Sequence, residues 1–284
     1  EGPMSVIYGS NAIAGVVNII TKENKNSSFT AFANAYLESV GVYNFNAGAS
    51  VHKKNHNVSV DMARNFFDGY STNDTLRSMQ WKPKLQYNAD AYYLYSGAKT
   101  RAKISFQYFD EMLQDKGDLQ KPYYETAIDN YYHTIRQTSK AEASYTISAN
   151  RQISFVGAYS TYNRTREVYQ NDLTILEKQL AGGDTTSVGS YLMRAWYNRN
   201  YPNQKLNYQV GFDGNLEVNE GQRIEGGSQQ IGDYAGFVSI KYNPIEKISL
   251  QPGARFSYNT KYNAPVVYSV NIKYRFTPHT SVWA

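Results

Sequence analysis

Cysteine is absent from the 284-residue chain. Its absence excludes disulfide staples, thiolate metal sites and a cysteine nucleophile. Histidine is scarce, with four residues in all. His52 and His56 lie four apart in a short polar break, not on a helix, so the geometry of a zinc-binding helix is missing. The net charge is +5, yet no run of five or six basic residues occurs, and a nucleic-acid partner is not indicated. The opening Glu1-Gly2-Pro3 lacks the basic start and apolar core of a secretory signal. The longest uncharged stretch, residues 2–21, has about the length of a membrane helix. Gly9, Ser10, Asn11, Gly15 and Asn18 break it with poor helix formers, so a spanning helix is excluded. Catalytic constellations are missing too: no Ser/His/Asp set or carboxylate pair can be assigned to one pocket. Asp110, Glu111 and Asp115 have calcium-ligand chemistry, but a solvated acidic segment accounts for them better. An enzyme is not expected, and neither is a metal site or a cofactor.

What the chain has is tyrosine. With 27 Tyr and 12 Phe, aromatics reach 15%, although the mean hydropathy is negative. An apolar ring with a polar tip suits a bilayer interface. It equally suits a strand in a tyrosine-rich soluble sheet, so composition alone leaves both open.

The rhythm of the chain decides between them. From Ser28 onward, segments of about ten residues alternate as half-buried strands must. Leu206, Tyr208, Val210, Phe212 and Leu216 share one face, against Asn207, Gln209, Asp213, Asn215 and Glu217 on the other. Residues 248–259 and 266–276 repeat the pattern. Sandwich strands usually run to about five or six residues, whereas tilted membrane strands need about ten. The breaks also alternate in length. Short ones fall at 53–57, 96–100, 148–151, 200–204, 243–247 and 277–280. Long polar stretches fall at 67–80, 111–134, 165–190 and 218–228, and two brief breaks near 38–42 and 260–264 keep the same parity. Short turns at one end and long loops at the other are the plan of an outer-membrane barrel. The count predicts about twelve strands and the start of a thirteenth at 280–284. A closed barrel has an even strand number and no free edge, so the sequence is expected to stop inside its barrel.

Residues 1–22 stand outside that rhythm: a Gly-Pro turn, a short apolar piece, a Gly-Ser-Asn turn, small residues, and an apolar strand over 16–21. A phosphate-binding loop is excluded, because five residues separate Gly9 from Gly15 and no Lys-Ser or Lys-Thr follows. The stretch resembles the end of the plug domain of TonB-dependent outer-membrane receptors, with its E-G-P start, Y-G turn, small-residue step and N-I-I-T-K close. Gly2, Pro3, Tyr8, Gly9, Gly15 and Asn18 carry the match, and Ala14 stands where the family often has a second Gly. Residues 252–284 resemble the later barrel of cobalamin and siderophore receptors.

The resemblance implies an all-β fold: a transmembrane antiparallel β-barrel, present as about twelve of an expected twenty-two strands, behind the C-terminal end of a plug. Residues 1–25 would be plug and 26–284 barrel. It further implies residence in the bacterial outer membrane and import of a ferric siderophore, haem or cobalamin. The implied partners are outer-membrane lipid, the TonB complex of the inner membrane, and a surface lipoprotein. The TonB-contacting segment and most of the plug would precede Glu1. A glycan or peptide importer of the same superfamily is the alternative, ahead of an adhesin, porin or barrel hydrolase. For the ligand, the expected contacts are Tyr123, Tyr124, Tyr131, Tyr132 and His133 in the 111–134 stretch. The competing reading places those rings in the upper aromatic girdle.

Overall fold

A computed structural model describes residues 6, 7, 23, 28–73, 75–202, 204–277 and 280–283. They form thirteen strands: β1 (Phe29–Glu38), β2 (Val42–Lys53), β3 (His56–Phe67), β4 (Lys84–Ser96), β5 (Thr100–Leu119), β6 (Thr126–Ser148), β7 (Arg151–Asp172), β8 (Glu177–Arg199), β9 (Leu206–Gly221), β10 (Ser228–Ile245), β11 (Ile248–Asn259), β12 (Val267–Arg275) and β13 (Ser281–Trp283). Every strand pairs antiparallel with the next, giving one sheet in sequence order. The short connections fall at the expected ends, at 54–55, 97–99, 149–150, 200–205, 246–247 and 276–280. At the other end Gly41 turns β1 into β2 with φ 87°, where a Cβ would meet the Asp68 Cβ at 2.9 Å.

No second layer covers this sheet among the described residues, and the exposed area shows it. The chain exposes 18807 Å², against about 12,000 Å² expected of a compact soluble protein of its mass. Cross-strand partners share a face, so the register assigns one. Phe45, Arg64, Tyr87 and Asp110 form one row, and Val58, Tyr93, Ile104, Ala141, Gly157, Met193, Gly214 and Tyr234 another. The same face carries a broad apolar band that includes Phe29, Val51, Val60, Met62, Phe106, Val210 and Phe256, all exposed. Apolar surface this extensive requires an apolar solvent. Asn57, Ser59, Asp90, Lys103, Glu142, Arg194, Asp213 and Arg255 occupy the opposite face.

Tyrosines border the band. Near the short turns are Tyr95, Tyr145, Tyr197, Tyr208, Tyr242 and Tyr274; near the long ends are Tyr43, Tyr159, Tyr191, Tyr234 and Tyr258. Their rings touch across strands: Tyr43–Phe66 at 5.9 Å, Tyr159–Tyr191 at 4.6 Å and Tyr197–Tyr208 at 5.9 Å between centroids. The upper border slips along the register. Phe66 shares a row with Met112, Tyr159 and Tyr191 with Phe106, and Tyr234 with Ile104. A horizontal border crossing the strands obliquely means tilted strands, as a membrane barrel requires.

One expectation changes. The polar stretches 111–134 and 165–190 are paired strands rather than loops, because β5 to β8 run on for 20 to 23 residues. Their turns shrink to 120–125 and 173–176. Above the apolar band both faces of a ribbon are wet, so the period-two hydropathy signal disappears while the hydrogen-bonded ladder continues.

Outward and inward positions should respond differently to charge. Ile104→Arg, in mid-band, is expected to destabilise the inserted barrel by about 2–4 kcal/mol. Its inward neighbour Ser105 should accept Arg with little effect. Urea unfolding from lipid vesicles compares the two; equal losses would contradict the assignment of faces.

Candidate functional site

Two features meet on the inner face above the band. The first is a wall on the extended parts of β5, β6 and β7. Alternation in β6 sends Asn130, Tyr132, Thr134 and Arg136 to this face, and register brings Phe109 and Tyr162 beside Arg136. The Arg136 guanidinium lies 5.6 Å from the Phe109 ring and 5.5 Å from Tyr162. Arg164 lies 4.5 Å from the Tyr132 ring. These distances are those of cation–π contacts. Arg166 is committed elsewhere: it donates to Asn130 Oδ1 at 3.0 and 2.8 Å and stands 3.7 Å from Asp184, which Arg223 also engages at 2.5 Å. Among the described residues, Arg136 and Arg164 have no carboxylate within ion-pair distance. They present two positive forks framed by aromatic rings, a surface suited to planar or multidentate anions.

The second feature is a hollow of about 580 Å³ at the rim, lined by Asn44, Asn65, Phe67, Tyr70, Trp81 and Gln86 among others. Its size suits a small ligand. Tyr70 and Trp81 exchange backbone hydrogen bonds of 2.9 Å, with ring centroids 5.5 Å apart. Gln86 Nε2 donates to Glu111 at 2.5 Å, which joins the hollow to the wall, since Glu111 shares the inward parity of Phe109.

The hollow exists because segment 68–83 is clasped to the β5–β6 ribbon. Arg77 engages both carboxylate oxygens of Asp129, with Nη2 to Oδ2 at 2.6 Å, and Arg77 Nη1 also donates to the Gly117 carbonyl at 2.9 Å. The Gly117 amide donates to Asp129 at 3.2 Å, the Ser78 amide donates to Asp118 at 3.2 Å, and Lys82 meets Asp115 at 2.5 Å. Asp129 is 1% exposed. Burial alone would raise its pKa, but the Arg77 hydrogen bonds and charge hold it below the ordinary carboxylate value. Gly117 sits where the β5–β6 register shifts. A Cβ there would stand 2.2 Å from the Ile128 carbonyl oxygen, so only glycine fits.

Within the band, described residues of the opening segment lie against the inner face. Arg194 Nη2 donates to the Ile7 carbonyl at 2.7 Å, Glu23 pairs with Arg101 and Lys103, and Val6 is fully buried. The motif positions Gly2, Pro3, Tyr8, Gly9, Gly15 and Asn18 lie outside the described residues.

The five aromatic candidates separate. Tyr123 and Tyr124 occupy the exposed tip between β5 and β6, the latter with φ 57°. Tyr132 faces inward on the wall. Tyr131 and His133 face outward: Tyr131 packs edge-on against Tyr169 at 5.6 Å under Lys178, and His133 Nε2 is 3.0 Å from Asp110. Sequence reasoning missed Arg136, Arg164, Phe109, Tyr162 and Trp81. The spacings Tyr132-x-Thr-x-Arg136 and Tyr162-x-Arg164 hold the signal, once those stretches are known to be strands.

No protein-family model matches the chain, and no curated relative does. Among solved structures, the siderophore receptor PiuA of Acinetobacter baumannii superposes with a TM-score of 0.70 at 10% identity, covering 100% of this chain and 52% of that one. A mutant of the ferric enterobactin receptor PfeA of Pseudomonas aeruginosa gives 0.69 at 12% identity, with 99% and 46% covered. The ferric-catecholate import receptor Fiu of Escherichia coli gives 0.65 at 10%, with 100% and 53% covered. The chain has the fold of the TonB-dependent outer-membrane receptor barrel. It spans about half the length of these structures.

Proposed function

We propose that this chain belongs to a TonB-dependent importer of the bacterial outer membrane that takes up an anionic, aromatic metal chelate of the ferric-siderophore type. The observation that carries the ligand class is the pair Arg136 and Arg164, without carboxylate partners among the described residues and set among Phe109, Tyr132 and Tyr162. A catecholate complex offers negative oxygens for the two forks and flat rings for the aromatics. In this reading Tyr123 and Tyr124 at the ribbon tip meet the ligand first, and Tyr70 and Trp81 close around it. Residues 1–25 act as the end of a plug; the contacts of Ile7 and Glu23 with inward arginines support this role. The TonB complex would act on a plug segment ahead of Glu1, and outer-membrane lipid surrounds the barrel. A surface lipoprotein is a further partner of this reading.

Uptake of labelled ferric enterobactin by cells carrying the full-length protein tests it. Accumulation should stop when the proton-motive force is collapsed. Accumulation that continues after collapse points to a passive pore, and none with any ferric chelate removes the ligand class.

A further inference from the structure

The lipid-facing band is interrupted by a groove. Ala33 and Ala35 on β1, Ala47 on β2 and Ala89 on β4 point outward, and their single methyl groups leave an open channel of about 670 Å³. Met62 lies between Ala47 and Ala89 in the register and forms part of its floor, and Phe45, Tyr87 and Tyr108 complete the lining. A trough in an apolar surface loses dispersion contacts unless something of matching shape lies in it. In a bilayer, acyl chains are the available filler.

Arg64 closes the upper end of this groove. Register places it outward between Phe45 and Tyr87, one pleat inside the border formed by Tyr43 and Phe66. Its guanidinium stacks 5.3 Å from the Phe66 ring, and among the described residues no carboxylate lies within ion-pair distance. The nearest acid in its row, Asp110, is two strands away beyond Tyr87. Asp110 is already engaged by Tyr108 Oη at 3.1 Å and His133 at 3.0 Å. A lipid-facing arginine is tolerated near the headgroups, where it can reach an anion. Its planar fork matches phosphate bidentately. The end that carries the long ribbons is the outer one, so the anion belongs to the outer leaflet.

We propose that this groove is a binding site for a phosphorylated outer-leaflet lipid, with one acyl chain along the alanines and the phosphate on Arg64. The site rests on the membrane placement of the barrel and is independent of what the barrel imports.

The test uses the intact protein, folded in detergent and stripped of lipid. Bis-phosphorylated lipid A and its dephosphorylated form are titrated in, and bound lipid is read by native mass spectrometry. The wild type should prefer the phosphorylated form by about tenfold. Arg64→Gln should lose that preference, and Arg64→Lys should keep part of it. Ala47→Phe, which fills the groove, should weaken both lipids alike. Heat-modifiable migration of each variant separates loss of the lipid site from loss of the barrel, and Ala89→Leu replaces Ala47→Phe should the latter not fold. Three results overturn the proposal: equal lipid binding by wild type and Arg64→Gln, full displacement by millimolar inorganic phosphate, or a dimer mass with no lipid retained, which would make a second copy the occupant.

Discussion

Replacing Arg136 and Arg164 together by Gln is expected to weaken binding of a ferric catecholate by about 100-fold, with the barrel still folded. Each arginine offers a charge-assisted hydrogen bond worth about 1.5–3 kcal/mol, and a total near 3 kcal/mol corresponds to about two orders of magnitude in Kd. Neither residue holds the wall together by an ion pair among the described residues, so removing the charges should leave stability nearly unchanged. Arg166→Gln is the control, because that residue is bound to Asn130 and faces Asp184; it should cost stability more than affinity. Tyr123→Ala with Tyr124→Ala should lower affinity only several-fold, since tip residues lack a rigid surround. Quenching of Trp fluorescence by the ferric complex reads all three variants. A double arginine variant with unaltered Kd would remove the wall from ligand binding.

The membrane half of the fold was legible because one face of each strand meets lipid. Leu206 to Leu216 and Ile248 to Tyr258 alternate as cleanly in the sheet as in the sequence, and the short turns follow from the same pattern. Legibility ended at the upper border. Above Tyr108 and Tyr159 both faces of β5 to β8 meet water, so Gln114 and Asp115, or Thr165 and Arg166, give no contrast to mark a strand. The candidate site lies in that silent region. Its central contact, Phe109–Arg136–Tyr162, joins three strands and depends on a register that no single segment encodes. Tyr131 and Tyr132 illustrate the point: neighbours in sequence, they take opposite faces once the strand is fixed. The Arg77–Asp129 clasp is likewise invisible beforehand, because it links an irregular segment to a strand 52 residues away.

That clasp carries the second large effect, a local one. Asp129→Ala leaves Arg77 without its carboxylate, with an expected penalty of about 3 kcal/mol, the low end for a buried pair because Arg77 stays partly open to water. The penalty should fall on segment 68–83 rather than on the barrel, which keeps its own ladder. Exchange of the Trp81 amide, bonded to the Tyr70 carbonyl, should therefore quicken by about 100-fold, while amides of β9 and β10 keep their rates. Acid should act the same way. Because the folded pKa of Asp129 is lowered, the clasp is complete above the ordinary carboxylate value near 3.9. It weakens as pH falls through the depressed value. The wild type at low pH should thus approach the exchange pattern of Asp129→Ala, and the variant itself should show little further change. Because Tyr70 and Trp81 line the rim hollow, ligand affinity should decline in step with their protection. Unchanged Trp81 exchange in Asp129→Ala would show that the Ser78–Asp118 and Lys82–Asp115 contacts hold the segment without the clasp.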